Sequence, residues 1–106
     1  MSIAITQSRF KKEVIENERL SLVHFKTEWS GACQIISPVY EDLASYFTGQ
    51  AFFFSMDVEQ EQGVEEVFGI MELPTILFFK NGELIDHVIG LVPRKLLFNK
   101  IENALT

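Results

Sequence analysis

The only cysteine of this chain is Cys33, which ends the run Trp-Ser-Gly-Ala-Cys at residues 29–33. A cysteine beside a helix N-terminus has its thiolate favoured by the helix dipole and by free backbone N–H groups, whereas burial opposes that charge. Dithiol chemistry needs a second thiol, which resolves the mixed disulfide formed by the first. One cysteine in 106 residues supplies no such pair.

Ser30 lies three residues before Cys33 and is the other side chain of this run that could act as a nucleophile. A hydroxyl near neutral pH lacks the thiolate that makes cysteine reactive, and disulfide exchange proceeds through sulfur. Serine is, however, a favoured helix N-cap, because its oxygen accepts a bond from a free backbone N–H group. We therefore interpret Ser30 as a cap and not as a catalytic group.

Two other features could suggest a metal site. The acidic residues at 57–66 lack the ligand spacing of a calcium loop, and acidic residues in a first helical turn are explained by the helix dipole. His87 has no cysteine or second histidine within ligand spacing. We predict neither a metal nor a cofactor.

The elements that position these residues follow from the pattern of apolar side chains. Three apolar runs of strand length, at residues 22–25, 51–58 and 75–79, are typical of strands covered on both faces. Lys80-Asn81-Gly82-Glu83 predicts a tight hairpin to a further strand at residues 84–89, because Asn-Gly tolerates two positive φ angles.

Three segments have helical periodicity. The first has Phe10, Val14 and Glu18; the second has Val39, Leu43, Tyr46 and Phe47; the third begins at Pro93 and has Leu97, Ile101 and Leu105. Strands alternating with amphipathic helices predict an α/β fold with helices on both faces of a sheet.

Composition and charge exclude several classes of protein. A chain of 106 residues that is 47% hydrophobic predicts one globular domain, residues 1–106. The net charge of −6, with scattered basic residues, argues against nucleic-acid binding. No apolar run approaches the ~18 residues of a membrane span, and residues 1–7 lack the pattern of a signal peptide. We expect a cytoplasmic protein that does not bind a membrane, and no property of the sequence fixes its oligomeric state.

Several separated motifs together resemble the thioredoxin family. These are Leu22-Val23-His24-Phe25, Glu28-Trp29-Ser30-Gly31-Ala32-Cys33 with Pro38, Leu73-Pro74-Thr75, and Phe79-Lys80-Asn81-Gly82-Glu83 followed by Gly90. The resemblance covers nearly the whole chain and implies the thioredoxin fold, a central mixed sheet with helices on both faces. It also implies a cis peptide bond between Leu73 and Pro74.

The chain departs from the family at the residues used for chemistry. Ser30 stands where the family has its exposed nucleophilic cysteine, and Ala32 stands where it has a loop proline. His24 replaces a buried aspartate, and Ser55 replaces a lysine common near it. Cys33 matches the second, more buried cysteine of the family, so the resemblance predicts weak or absent activity as a dithiol disulfide reductase.

The resemblance leaves two interpretations of Cys33 open. If His24 lies as the family's aspartate does, its imidazole could accept the Cys33 proton and activate the thiol. Alternatively, Cys33 is an inert buried thiol beside a core histidine, as buried cysteines commonly are.

The resemblance also implies a surface that binds an extended peptide. Its residues are Trp29, Gly31, Ala32, Leu73, Pro74 and Gly90.

Three functions follow from the peptide-binding surface and the two interpretations of Cys33. The first is a peptide- or protein-binding module without dithiol turnover. The second is a monothiol redox protein that forms mixed disulfides with glutathione or a partner protein through Cys33 and His24. The third is a structural subunit with Trp29 buried in an oligomer interface.

Overall fold

The computed structural model describes all residues from 1 to 106. Its strands are β1 (Ile3–Ala4), β2 (Ser21–Lys26), β3 (Phe52–Asp57), β4 (Thr75–Lys80) and β5 (Glu83–Ile89). Its helices are α1 (Gln7–Phe10), which continues as a π-helical segment (Lys11–Ile15), α2 (Gly31–Tyr46), α3 (Val64–Phe68) and α4 (Arg94–Leu105). No helix is both long enough and apolar enough to cross a lipid bilayer.

The five strands form one mixed sheet in the order β1-β3-β2-β4-β5. β3 runs parallel to both β1 and β2, whereas β4 is antiparallel to β2 and to β5. β2 therefore lies at the centre, hydrogen-bonded on both edges. The predicted α/β class with a mixed sheet is confirmed.

Alternate side chains of β2 enter two different hydrophobic cores, because successive residues of a strand point to opposite faces. Val23 and Phe25 belong to a core closed by α1, the π-helical segment and α3. Leu22 belongs to the opposite core, closed by α2 and α4. Burial on both faces explains the unbroken apolar runs of the central strands.

The hairpin between β4 and β5 has the predicted turn, since Asn81 has φ 53° and Gly82 has φ 78°. Two details of the helix predictions are wrong. The first helical segment ends at Ile15, so Glu18 lies outside it. Tyr46 is exposed, because the buried face of α2 runs through Cys33, Ile36, Tyr40, Leu43 and Ala44 instead.

Candidate functional site

Three loops meet at one end of the sheet. The register pairs Phe25 at the end of β2 with Thr75 at the start of β4, and Thr75 with Ile89 at the end of β5. The Gly90 N–H donates to the Pro74 carbonyl at 2.7 Å, and the Leu73–Pro74 peptide bond is cis. The loops after β2, before β4 and after β5 thus form one continuous surface.

The segment before α2 presents an aromatic ring to solvent and ends in a cap. Trp29 is 84% exposed. Ser30 has the extended backbone of an N-cap, and its Oγ accepts a hydrogen bond from the Cys33 N–H at 3.2 Å. Gly31 is exposed and Ala32 is half-buried at the start of the helix. The Ser30 hydroxyl therefore stabilises the helix end that holds the thiol.

Cys33 is only 2% exposed, although it lines an open cavity of about 520 Å³. The cavity lies between the end of β2 and the first turns of α2. Its other lining residues are Lys26, Thr27, Glu28, Gln34, Ser37, Pro38 and Glu41. A small solute can enter the cavity from this side, but the Cys33 sulfur exposes little surface with which it could react.

His24 is 1% exposed and lies on the face of β2 that packs against α2, since its ring is 4.9 Å from the Tyr40 ring. Its Nε2 atom has no hydrogen-bond partner, so no hydrogen bond joins it to Cys33. Burial, assisted by the positive charge of Lys26, lowers the His24 pKa to about 4, although Glu41 opposes this shift. The imidazole is therefore a neutral, unpartnered group at neutral pH.

Lys26 and Glu41 are the charged residues nearest to this site that sequence reasoning missed. Burial raises the pKa of Glu41, but two hydrogen bonds from the side chain and backbone of Ser2 outweigh burial, together with the positive charges of the terminal amine and Lys26, and lower it. Lys26 follows His24 by two residues, and strand periodicity places both on one face. That period was the available signal for Lys26.

Ser55 is buried and pairs with His24 across the β2–β3 ladder. Ser55 carries no charge, unlike the lysine that the resemblance implied at this position. The positive charge in the cavity beside Cys33 instead comes from Lys26 on β2. Charge near the thiol is thus supplied by a different strand position from the one the resemblance implied.

The Pro74–Gly90 hydrogen bond lies among the residues that the sequence resemblance assigns to peptide binding. Leu73 is half-buried, whereas Pro74 and Gly90 are buried. A Cβ atom added to Gly90 would overlap Glu72 Oε2, so the Glu72 carboxylate lies directly over this glycine. Glu72, which sequence reasoning missed, covers one side of the surface.

Comparison with known proteins agrees with this architecture. The family model described as Thioredoxin matches residues 1–103. Thioredoxin from Rickettsia felis is 33% identical over 105 residues, which are 99% of this chain and 100% of that protein. Thioredoxin 1 from Synechococcus elongatus is 31% identical over 105 residues, covering 99% and 98% of the two chains. The chloroplastic M-type thioredoxin of Spinacia oleracea is 34% identical over 102 residues, and this chain spans only 56% of its length.

The matches extend over nearly all of the chain, and the fold, the Ser30–Cys33 helix start and the Pro74–Gly90 contact lie within them. We conclude that this chain belongs to the thioredoxin family of redox proteins.

Proposed function

We propose that this protein is a thioredoxin-family module that binds an extended peptide or protein segment but does not turn over disulfides as a dithiol reductase. The observation that carries the proposal is the hydrogen bond from the Cys33 N–H to Ser30 Oγ. A hydroxyl used as a helix cap occupies the position where a dithiol cycle requires an attacking thiolate. The remaining thiol has no second sulfur to exchange with.

Two features support peptide binding at this end of the sheet. Trp29 offers an exposed aromatic surface, which suits an amphipathic contact with a partner. Pro74 and Gly90 are neighbours held by a backbone hydrogen bond. An extended peptide laid across this surface would be recognised mainly through its backbone, with Trp29 on one side and Leu73 on the other.

The chain contains one tryptophan, so the fluorescence of Trp29 reports on this surface alone. The probe is a ten-residue peptide of Val, Thr, Ser and Ala, acetylated and amidated at its ends. We expect a saturable change in Trp29 emission on titration, and a much weaker response to the same peptide with alternate backbone nitrogens methylated. Equal responses to the two peptides, or no response to either, would contradict the proposal.

The second candidate function is a monothiol redox protein, and the unpartnered His24 Nε2 favours it. In that case the neutral imidazole would accept the Cys33 proton, and the thiolate would attack one sulfur of glutathione disulfide. The reaction forms a Cys33–glutathione disulfide and releases one glutathione thiolate. The 2% exposure of Cys33 and the low pKa of His24 oppose this chemistry.

Mass spectrometry after incubation with glutathione disulfide separates the two functions. The binding module keeps its native mass, whereas a monothiol redox protein gains one glutathionyl group. A Cys33→Ser variant shows that any adduct is on this residue.

The proposal includes a cytoplasmic location, which is supported by the absence of any intrachain disulfide to maintain. Fractionation of cells that express the protein tests this location.

A further inference from the structure

We propose that this surface selects a partner segment carrying a lysine or arginine, whose side chain enters a pocket between the end of α3 and the β4–β5 hairpin and pairs with Glu72. This inference rests on the proposed function and specifies the chemistry of the partner. We call the site the Glu72 pocket. It is lined by Phe68, Gly69, Ile70, Met71, Glu72, Thr75, Leu77, Leu84, His87 and Ile89.

The Glu72 pocket exists because α3 is too short to cover the edge strand β5. The register pairs Leu77 with His87 and Thr75 with Ile89, so these residues share the face that carries α3. α3 ends at Phe68, and the pocket of about 270 Å³ lies beyond it. Leu84 and Ile89 remain more than half exposed on this side.

The walls of the pocket are apolar, whereas one end carries a free negative charge. Met71 is 97% exposed and is one of the apolar residues that line the pocket. The Glu72 carboxylate lies over Gly90 and forms neither an ion pair nor a side-chain hydrogen bond. A mostly apolar pocket with an unpaired carboxylate among its lining residues complements a long aliphatic side chain with a cationic head.

Charge elsewhere on the molecule favours the same partner. The net charge is −6, and Glu28, which precedes Trp29, is also exposed. Like charges placed together at an interface disfavour binding, and opposite charges accelerate association. An acidic side chain at the same position of the peptide would meet the Glu72 carboxylate and bind more weakly than a neutral one.

The test uses the ten-residue Val/Thr/Ser/Ala peptide with Lys, Arg, Gln or Glu at one central position. Affinities are measured at pH 8 and at low salt, where exposed charges are screened least. The proteins are the native chain, Glu72→Gln, Glu72→Lys, and Glu102→Gln as a control with the same charge change on exposed α4. For the native chain we expect Lys and Arg peptides to bind about threefold to fivefold more tightly than the Gln peptide.

The variants decide between specific pairing and general attraction. Glu72→Gln should abolish the preference, Glu72→Lys should reverse it toward the Glu peptide, and Glu102→Gln should keep it. If all four peptides bind the native chain equally, or if Glu102→Gln removes the preference as fully as Glu72→Gln, the Glu72 pocket is not selective, while peptide binding itself stands. If no peptide binds, the proposed function fails together with this inference.

Discussion

The Oγ atom of Ser30 accepts a hydrogen bond from the backbone N–H of Cys33 at 3.2 Å. One residue thus fills the position of a missing nucleophile and stabilises the helix that carries the remaining thiol. Serine at position 30 is therefore compatible with a regular start of α2 at this end of the sheet.

Removing the cap should destabilise the protein without changing its core. Ser30→Ala leaves the Cys33 N–H without its side-chain acceptor, and we expect the free energy of unfolding to fall by about 1 kcal/mol. Urea denaturation measures this value. Ser45→Ala is the matched control, because Ser45 is exposed in the same helix. Equal stability of the two variants would show that the cap contributes nothing.

Gly90 requires a backbone conformation that other residues adopt at a cost. Its φ is 81°, and an added Cβ would overlap Glu72 Oε2. We expect Gly90→Ala to lower the free energy of unfolding by about 1–3 kcal/mol. Gly31→Ala is the control, because Gly31 has open space around it and lies at the start of α2. Thermal and urea unfolding should rank Gly90→Ala well below Gly31→Ala, and the reverse ranking would contradict the strain at Gly90.

His24 should make stability depend on pH. Its pKa falls from 6.5 to about 4 in the native state, so between these values the unfolded chain binds more protons than the native chain. The stability that comes from a neutral, buried His24 is therefore fully present above about pH 6.5 and is lost as the pH falls toward 4. Over this interval the free energy of unfolding should fall by about 3 kcal/mol. Urea unfolding from pH 7.5 to 4 measures the loss.

Two variants identify the group responsible for this loss. His24→Leu should remove the change in the free energy of unfolding between pH 6.5 and 4. His87→Asn, at an exposed site, should retain this change. A native stability curve that is flat across this interval would mean that His24 is not buried in its neutral form.

The burial of Cys33 predicts slow alkylation. With 2% of its surface exposed, the thiol should react with iodoacetamide far more slowly in the native protein than in urea. The reaction is followed by mass spectrometry, and the urea-unfolded chain supplies the reference rate. A native rate equal to or above the unfolded rate would favour the monothiol redox function over the binding module.

The sequence predicted what depends on local pattern. The Asn81-Gly82 turn and the alternation that sends Leu22 and Val23 to opposite cores follow from backbone preference and strand period, and the structure confirms them. The early end of the first helical segment was not predicted, because Glu18 continued the spacing of four although the chain leaves the helix at Glu16.

Contacts between distant residues could not be predicted in this way. Ser2 donates to Glu41 across 39 positions, and Glu72 lies over Gly90 from a different loop. No local period or motif connects either pair. The positions of the Glu41 and Glu72 carboxylates therefore became known only from the folded chain.

We propose that Ser30 prevents this protein from reducing disulfides, and insulin reduction driven by dithiothreitol tests this role. Three proteins are compared at equal concentration: the native chain, Ser30→Ala and Ser30→Cys. We expect the native chain and Ser30→Ala to add nothing to the rate of dithiothreitol alone, and Ser30→Cys, which pairs a second thiol with Cys33, to accelerate it. Turnover by the native chain at the rate of Ser30→Cys would contradict the account.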